Sequence, residues 1–168
     1  DHAHHQNAPG LEQAVLKGRR DADAQDALCH LAIQLDGLGH GEGVAFLVTA
    51  EGRTVFHAGD LNWWHWEGED PVWNRNMEAD FRRYAEPLRG RRVDLAMLPL
   101  DSRLKMDGYL GPNYFLNLME VRRFLPMHQW GNFNFTNQFL SCYTSFTSRT
   151  VYVNRVGQVF TFEEEADT

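Results

Sequence analysis

The alternation of apolar and polar residues predicts two paired strands in the first half of the chain. Two short apolar runs, Val44 to Thr49 and Thr54 to His57, flank the dipeptide Glu51-Gly52. Apolar runs of this length, joined by a two-residue connection with glycine, are typical of a β-hairpin. Upstream, Leu11 to Lys17 predicts a short helix. Residues Ala27 to Leu35 fit either an amphipathic helix or a strand, because their periodicity does not distinguish the two.

A helix is predicted to begin at Asp70-Pro71. Aspartate is a preferred N-cap residue, and proline is well suited to the first helical position. Apolar residues then recur at helical spacing on one face: Trp73, Met77, Phe81, Tyr84 and Leu88. Gly90 is the predicted end of this helix, since glycine often follows the last helical residue.

The second half of the chain continues with alternating strands and helices. The predicted strands are Val93 to Pro99 and Phe124 to Met127, a loop covers Ser102 to Gly111, and helices begin at Pro112 and span Phe135 to Phe146. A terminal hairpin is predicted from Val151 to Val153 and from Val159 to Phe162. Strands that alternate with helices, with hairpins at both ends, predict a layered α/β fold with a mixed sheet. The length of 168 residues fits a single domain over residues 1–168.

Composition excludes several classes of function. The formal net charge is −7, which argues against a nucleic-acid partner, because such binding depends on a broad cationic surface. No apolar run approaches the length of a membrane span, and no signal-peptide pattern is present. The two cysteines lack the paired spacing of a disulfide scaffold or a thiolate zinc site. We therefore expect a soluble cytoplasmic protein with reduced thiols and no membrane partner.

Candidate metal ligands lie at or near the ends of the apolar strands. His40 precedes the first strand of the hairpin, Asp60 follows the second, and His128 follows the strand at 124–127. The pair His2 and His4 would place two imidazoles on the same side of an extended chain. Zinc-type ions prefer imidazole and carboxylate ligands that converge on one point. Alternatively, His40 is a turn residue, Asp60 a turn cap, His128 a packing residue and the histidines at the start part of a frayed terminus.

Three segments of the chain resemble the metallo-β-lactamase-fold hydrolases. Gly37-Leu38-Gly39-His40 before an apolar strand is similar to the family's glycine–histidine turn, and Phe56-His57-Ala58-Gly59-Asp60 to its strand–Gly–Asp motif. Pro126-Met127-His128 looks like its last ligand strand. The continuation Asn62-Trp63-Trp64-His65-Trp66 is similar to a bacterial subgroup near the sugar-lactone hydrolases. The resemblance covers residues 37 to about 162.

The resemblance implies a fold, a cofactor and a reaction. The expected architecture is an αββα sandwich, incomplete on its N-terminal side because the leading strands of the family are absent. One or two zinc ions, or manganese or iron instead, are expected. The implied ligands are His2, His4, His40, Asp60 and His128, with Asp60 and His40 as catalytic residues. The implied activity is hydrolysis of an ester, lactone, amide or phosphodiester by a metal-bound hydroxide, since the ion lowers the pKa of bound water to about 7.

The chain departs from the family's signature His-x-His-x-Asp-His. The corresponding segment has Gln6 and Asn7 where the family has Asp and His. This motivates an alternative, in which the chain is a catalytically impaired or inactive member that binds a metal or ligand or associates with itself. We expect a small-molecule substrate, and an anionic group on that substrate could bind one of the basic clusters at residues 17–20 and 89–92. A third hypothesis is that the chain associates with itself into a homo-oligomer.

Four further residues are expected to support the site or reach the substrate. His57 and His65 flank the Gly-Asp motif and would hydrogen-bond a metal ligand. Asp101 follows a predicted strand on the same side as Asp60, and Tyr109 lies in the next loop. Trp63, Trp64 and Trp66 are either packing residues or the wall of an apolar or sugar-stacking pocket.

Overall fold

The fold is a mixed α/β arrangement of one sheet and three α-helices in the part of the chain that the structure describes. The structure is a computed structural model that describes residues 27–35, 43–50 and 52–161, with the backbone alone for residues 27–35 and Gly43. The strands are β1 (Ala27–Leu35), β2 (Gly43–Ala50), β3 (Arg53–His57), β4 (Arg92–Pro99) and β5 (Glu120–Met127). The helices are α1 (Pro71–Ala85), α2 (Leu110–Leu118) and α3 (Phe135–Cys142), with 3₁₀ segments at Glu86–Leu88, Ser102–Tyr109 and Thr144–Arg149.

The five strands lie in the order β1-β2-β3-β4-β5. The pairs β1–β2 and β2–β3 are antiparallel, whereas β3–β4 and β4–β5 are parallel. The sheet is therefore mixed, as the sequence predicts. The parallel pairs are joined through α1 and α2, which are the crossover connections that parallel strands require. The segment 27–35, for which the sequence left helix and strand open, is a strand, and the predicted helix at 11–17 lies outside the described residues.

The helix predicted at Asp70-Pro71 is confirmed. The Asp70 carboxylate accepts hydrogen bonds from the backbone N–H groups of Val72 and Trp73, at 2.6 and 3.2 Å. The α-helix ends at Ala85 rather than near Gly90, and a 3₁₀ turn continues to Leu88. Pro87 explains the early end, because proline has no N–H to donate to the preceding turn.

One face of the sheet packs against the helices and forms the core. Phe56 of β3 lies 5.5 Å from Phe115 of α2, and Phe115 lies 5.1 Å from Phe81 of α1, measured between ring centroids. On β5, Phe124 lies 6.1 Å from Phe139 of α3. These edge-on and tilted ring pairs hold all three helices against the same face of the sheet.

The opposite face of the sheet is apolar but only partly covered. Val44 and Phe46 of β2 are 37% and 41% exposed. Strand register places Val55 beside Leu95, and both side chains are half-buried. Apolar side chains on both faces of a sheet are typical of a sheet that is covered on both sides.

Two predictions for the segments around α2 are wrong. The region Ser102–Gly111, expected to be a loop, forms a 3₁₀ segment over Ser102–Tyr109 that is interrupted at Lys105. The helix begins at Leu110, so Pro112 occupies its first turn rather than opening it. The buried Asp101 carboxylate caps the 3₁₀ segment by accepting the N–H of Arg103, a local contact that the pattern of apolar residues does not reveal.

The predictions for the C-terminal region are also partly wrong. α3 ends at Cys142, since Tyr143 has non-helical backbone angles, and the chain continues as a 3₁₀ segment. No strand forms within residues 151–161, so the predicted hairpin is absent there; Phe162 lies outside the described residues. The Gln158 side chain instead accepts the N–H of Asn154 and donates to the carbonyl of Tyr152, occupying backbone groups that a ladder would use.

None of the helices in the described ranges is both long enough and apolar enough to cross a bilayer.

Candidate functional site

The candidate site lies at the carboxyl ends of the three parallel strands. Asp60, Asp101 and His128 each follow one of the adjacent strands β3, β4 and β5. Backbone hydrogen bonds between the parallel strands continue into these loops. Ala58 N–H donates to the Met97 carbonyl at 3.0 Å, and Leu100 N–H donates to the Met127 carbonyl at 2.9 Å. Parallel strands end at the same edge, which is where open α/β sheets bind ligands.

Asp60 is presented by a tight turn. Leu61 N–H donates to the Ala58 carbonyl at 2.9 Å, and Gly59 has a φ of +56°. A Cβ on Gly59 would lie 2.4 Å from the carbonyl oxygen of Val44, so only glycine fits between the two backbones. The Asp60 side chain is 74% exposed as a result. The glycine of the Gly-Asp motif thus has a steric role, and the carboxylate it delivers is accessible.

His128 lies directly against Asp60. Its Nε2 is 3.2 Å from Asp60 Oδ1, and its side chain is 24% exposed. His128 has a φ of +58°, a left-handed conformation that is uncommon for a residue other than glycine and that concentrates at functional sites. The structure therefore brings together two of the predicted ligands, which are 68 residues apart in sequence.

Asp101 stands behind this pair as a fully buried carboxylate. Its Oδ2 lies 3.9 Å from Nδ1 of His128, which is within ion-pair range but too long for a hydrogen bond. Arg103 donates to it from Nε, at 2.9 and 3.1 Å, and from Nη2, at 2.6 Å. Burial of the carboxyl opposes ionisation, but these hydrogen bonds and one from Trp130 outweigh it and lower the pKa of Asp101. The same contacts raise the pKa of Arg103.

Three tryptophans surround Asp60, His128 and Asp101. The ring of Trp64 lies 6.1 Å from that of His128 and stacks on Trp66 at 6.3 Å with an interplanar angle of 7°. Trp64 Nε1 donates to the Asp60 carbonyl at 2.9 Å. Trp130 is 64% exposed, and its Nε1 donates to Asp101 Oδ2 at 3.1 Å. We call Trp64, Trp66 and Trp130 the tryptophan wall.

Trp63, the remaining tryptophan of the motif Asn62-Trp63-Trp64-His65-Trp66, has a different environment. Trp63 packs against the core at 6.1 Å from Phe81, with the guanidinium of Arg82 4.5 Å from its ring centroid. The sequence left open whether the tryptophans of this motif pack or line a pocket. In the structure, Trp63 packs against the core, while Trp64 contacts the ring of His128 and Trp66 stacks on Trp64.

The other predicted supporting residues have separate positions. His57 Nδ1 accepts the N–H of Gly59 at 3.0 Å and so stabilises the turn that carries Asp60. His65 lines a depression of about 460 Å³ together with Trp66, Glu78 and Asp107. Tyr109 is buried against Phe135 and Phe139, and desolvation raises the pKa of its hydroxyl. The ring contacts of Tyr109 are therefore with core residues and not with Asp60 or His128.

The remaining predicted ligands, His2, His4 and His40, lie outside the described residues. Within the ranges that the structure describes, no group of three or more His, Cys, Asp or Glu side chains is arranged to hold a metal ion. Asp101 does not complete such a group, because its oxygens accept hydrogen bonds from Arg103 and Trp130. The described part of the site thus contributes two candidate donors, Asp60 and His128.

Sequence reasoning missed Arg103 and Trp130. The Asp-x-Arg spacing at 101–103 at the end of a strand, and an aromatic residue two positions after a candidate ligand, were the available signals.

Comparisons of the chain with protein-family models, with curated proteins and with solved structures each found no match. The fold and the geometry of the site therefore carry the functional argument.

Proposed function

We propose that the chain is a metal-dependent hydrolase of the metallo-β-lactamase fold that cleaves an ester, lactone, amide or phosphodiester in a small-molecule substrate. The observation that carries the proposal is the 3.2 Å separation between Asp60 Oδ1 and His128 Nε2 at the carboxyl ends of parallel strands. A carboxylate and an imidazole at one point are a donor pair that zinc, manganese and iron accept.

The donor spacing fits a shared ion. Two ligands about 2.0–2.2 Å from a tetrahedral zinc ion lie about 3.4 Å from each other, and the observed separation is 3.2 Å. In the proposal, His2, His4 and His40 complete the set of ligands that begins with Asp60 and His128. A divalent ion bound there would supply Lewis acidity, lowering the pKa of water and polarising the attacked group.

The chain's own residues prepare this site. Gly59 and the His57 imidazole set the turn that presents Asp60. The buried Asp101 carboxylate, 3.9 Å from Nδ1 of His128, favours an orientation in which Nε2 faces Asp60. The effect is electrostatic, because at 3.9 Å no hydrogen bond joins the two groups.

The sheet supports the family architecture in the proposal. An αββα sandwich buries both faces of each sheet, and the apolar face that carries Val44, Phe46 and Leu95 meets that requirement. The helices on the other face would form one outer layer of the sandwich.

Bound metal tests the proposal directly. The purified full chain is loaded with zinc or manganese, dialysed and analysed by mass spectrometry. Asp60→Ala and His128→Ala are each expected to lower the bound metal at least by half, because each removes one donor. Glu120→Ala is the control, since Glu120 is an exposed carboxylate at the opposite end of β5. Unchanged metal content in both site variants would contradict the proposal.

A second candidate is a family member that binds a metal or ligand, or itself, without catalysis. It is motivated by Gln6 and Asn7, which stand where the family's signature has Asp and His. Hydrolysis of p-nitrophenyl acetate, a simple lactone and bis-p-nitrophenyl phosphate separates the two candidates. Metal binding that depends on Asp60, without turnover of any of these compounds, favours the second candidate. Solution mass by light scattering tests self-association through the apolar sheet face.

A further inference from the structure

The exposed Trp130 side chain is held in place by a hydrogen bond, by a cation–π contact and by its backbone conformation. Its indole N–H donates to the buried Asp101 carboxylate at 3.1 Å. The guanidinium carbon of Arg103 lies 4.3 Å from its ring centroid. Its backbone has a φ of +52°, in the left-handed region. A large apolar ring that is 64% exposed and yet fixed in three ways is preorganised to meet something outside the protein.

The other two tryptophans extend this surface toward the candidate site. Arg103 lies 5.6 Å from the ring centroid of Trp66 as well as 4.3 Å from that of Trp130, so it links the two indoles. Trp64 stacks on Trp66 and contacts the ring of His128. The tryptophan wall is thus continuous with the Asp60–His128 pair, and a group bound on it would lie next to the proposed reaction centre.

The charges along this wall indicate the kind of ligand it takes. The Arg103 guanidinium is paired with the fully buried Asp101 carboxylate through three short contacts. Its charge is therefore already compensated. Among the residues of the tryptophan wall and Arg103, an anionic group would therefore find no uncompensated cation, whereas an uncharged ring can stack on indole without losing a hydration shell. A divalent ion at Asp60 and His128 would act on the neighbouring group of the substrate and not on the ring bound at the wall.

We propose that Trp130, together with Trp64 and Trp66, forms a stacking subsite that binds an uncharged ring of the substrate beside Asp60 and His128. The ring is either aromatic or a sugar ring, because both present a face of carbon and hydrogen atoms to an indole. The subsite rests on the proposed function for its role in catalysis, but its ability to bind a ring does not depend on hydrolysis.

Equilibrium binding of ring probes tests the subsite. Benzyl alcohol and methyl β-D-glucopyranoside are titrated separately into the full chain by calorimetry. One of them is expected to bind, and the one that does so identifies the ring as aromatic or sugar. Trp130→Ala is expected to weaken that binding roughly three- to tenfold, the range expected for loss of one aromatic contact. Trp130→Phe restores a stacking ring and is expected to restore most of the affinity.

Two further variants separate stacking from folding. Trp66→Leu removes one ring of the wall but leaves the indole hydrogen bonds of Trp64 and Trp130 in place, and it is also expected to weaken binding. Tyr152→Ala removes another exposed aromatic side chain, which lies just after the bridge between Thr150 and Phe124, and is expected to have no effect. Circular dichroism and the urea midpoint establish that each variant is folded.

Failure of both probes to bind, or equal weakening of binding by Tyr152→Ala, would overturn the subsite. The outcome is independent of the metal experiment. Ring binding that depends on Trp130, with metal content unaffected by both Asp60→Ala and His128→Ala, would refute the proposed function and retain the subsite. If turnover is found, Trp130→Ala is expected to raise KM more for an ester with a ring than for ethyl acetate.

Discussion

Replacement of the buried Asp101 carboxylate by an amide is expected to destabilise the protein and loosen the candidate site. Asp101→Asn keeps the size of the side chain but removes its charge. In the native protein the carboxylate accepts from the backbone N–H, Nε and Nη2 of Arg103 and from Nε1 of Trp130. An amide can place only one oxygen among these donors, and its NH₂ group must face at least one of them.

The magnitude follows from the exposure of the two partners. Breaking a buried ion pair by removing one partner costs about 3–5 kcal/mol. Asp101 is fully buried, but the Arg103 side chain is 46% exposed and regains water when its partner is neutralised. We therefore expect a loss of about 2 kcal/mol in the free energy of unfolding, close to that of one charge-assisted hydrogen bond. The unfolding temperature should fall by about 4–8 °C.

The effect of pH gives this prediction a second test. The folded-state pKa of Asp101 is lowered, whereas the unfolded value is about 3.9. A lowered pKa contributes stability that is fully present above the unfolded pKa and is lost as the pH falls through the folded pKa. The stability difference between wild type and Asp101→Asn should therefore be constant near neutral pH and shrink below about pH 4.

Urea unfolding at several pH values measures both quantities. Glu86→Gln is the control, because Glu86 also pairs with an arginine, Arg89, but both side chains are more than half exposed. Exposed ion pairs contribute about 0–1 kcal/mol. The reasoning is refuted if Asp101→Asn destabilises no more than Glu86→Gln at neutral pH. A stability difference that stays constant down to pH 3 would equally contradict the role assigned to the ionised carboxylate.

Two further predictions concern the backbone around the site. Gly59→Ala should lower the free energy of unfolding by about 2 kcal/mol more than Gly68→Ala, as measured by chemical denaturation. Both glycines have a positive φ, but only at Gly59 would a Cβ meet the backbone, at 2.4 Å from the Val44 carbonyl oxygen. Equal losses in the two variants would contradict this reasoning. Asp70→Ala should cost about 1 kcal/mol through loss of the N-cap of α1, whereas Asp70→Asn should retain most of that stability; equal losses in the two Asp70 variants would show that capping is not the cause.

Local sequence signals were sufficient where the structure depends on neighbouring residues. The β2–β3 hairpin follows from two apolar runs and a glycine-containing turn, and the start of α1 follows from the N-cap and the proline. The Gly-Asp motif identified the turn that presents Asp60. In each case the deciding interactions join residues a few positions apart, so their pattern is visible in the chain.

The apolar pattern failed for three segments, and two of them pair with residues that are distant in sequence. The segment Ala27–Leu35 is a strand because it pairs with β2, which its ambiguous periodicity does not reveal. The segment after β4 is helical rather than a loop, with the buried Asp101 as its cap. The terminal hairpin is replaced by a single bridge to Phe124 and by side-chain contacts of Gln158. The strand and the bridge depend on backbone partners elsewhere in the fold, whereas the Asp101 cap and the Gln158 contacts are local side-chain interactions that the apolar pattern does not reveal.

The sequence alone indicated which residue types could carry the chemistry of the candidate site, and the tertiary structure decided which of those residues meet. Asp60 and His128 were predicted as candidate donors from their positions at strand ends. Their 3.2 Å approach exists because β3, β4 and β5 are parallel neighbours, so loops 68 residues apart open at one edge of the sheet. The same packing placed Arg103 and Trp130 at the site and Tyr109 in the core. Residue type and spacing record local chemistry, whereas proximity across a sheet is a property of strand order and register.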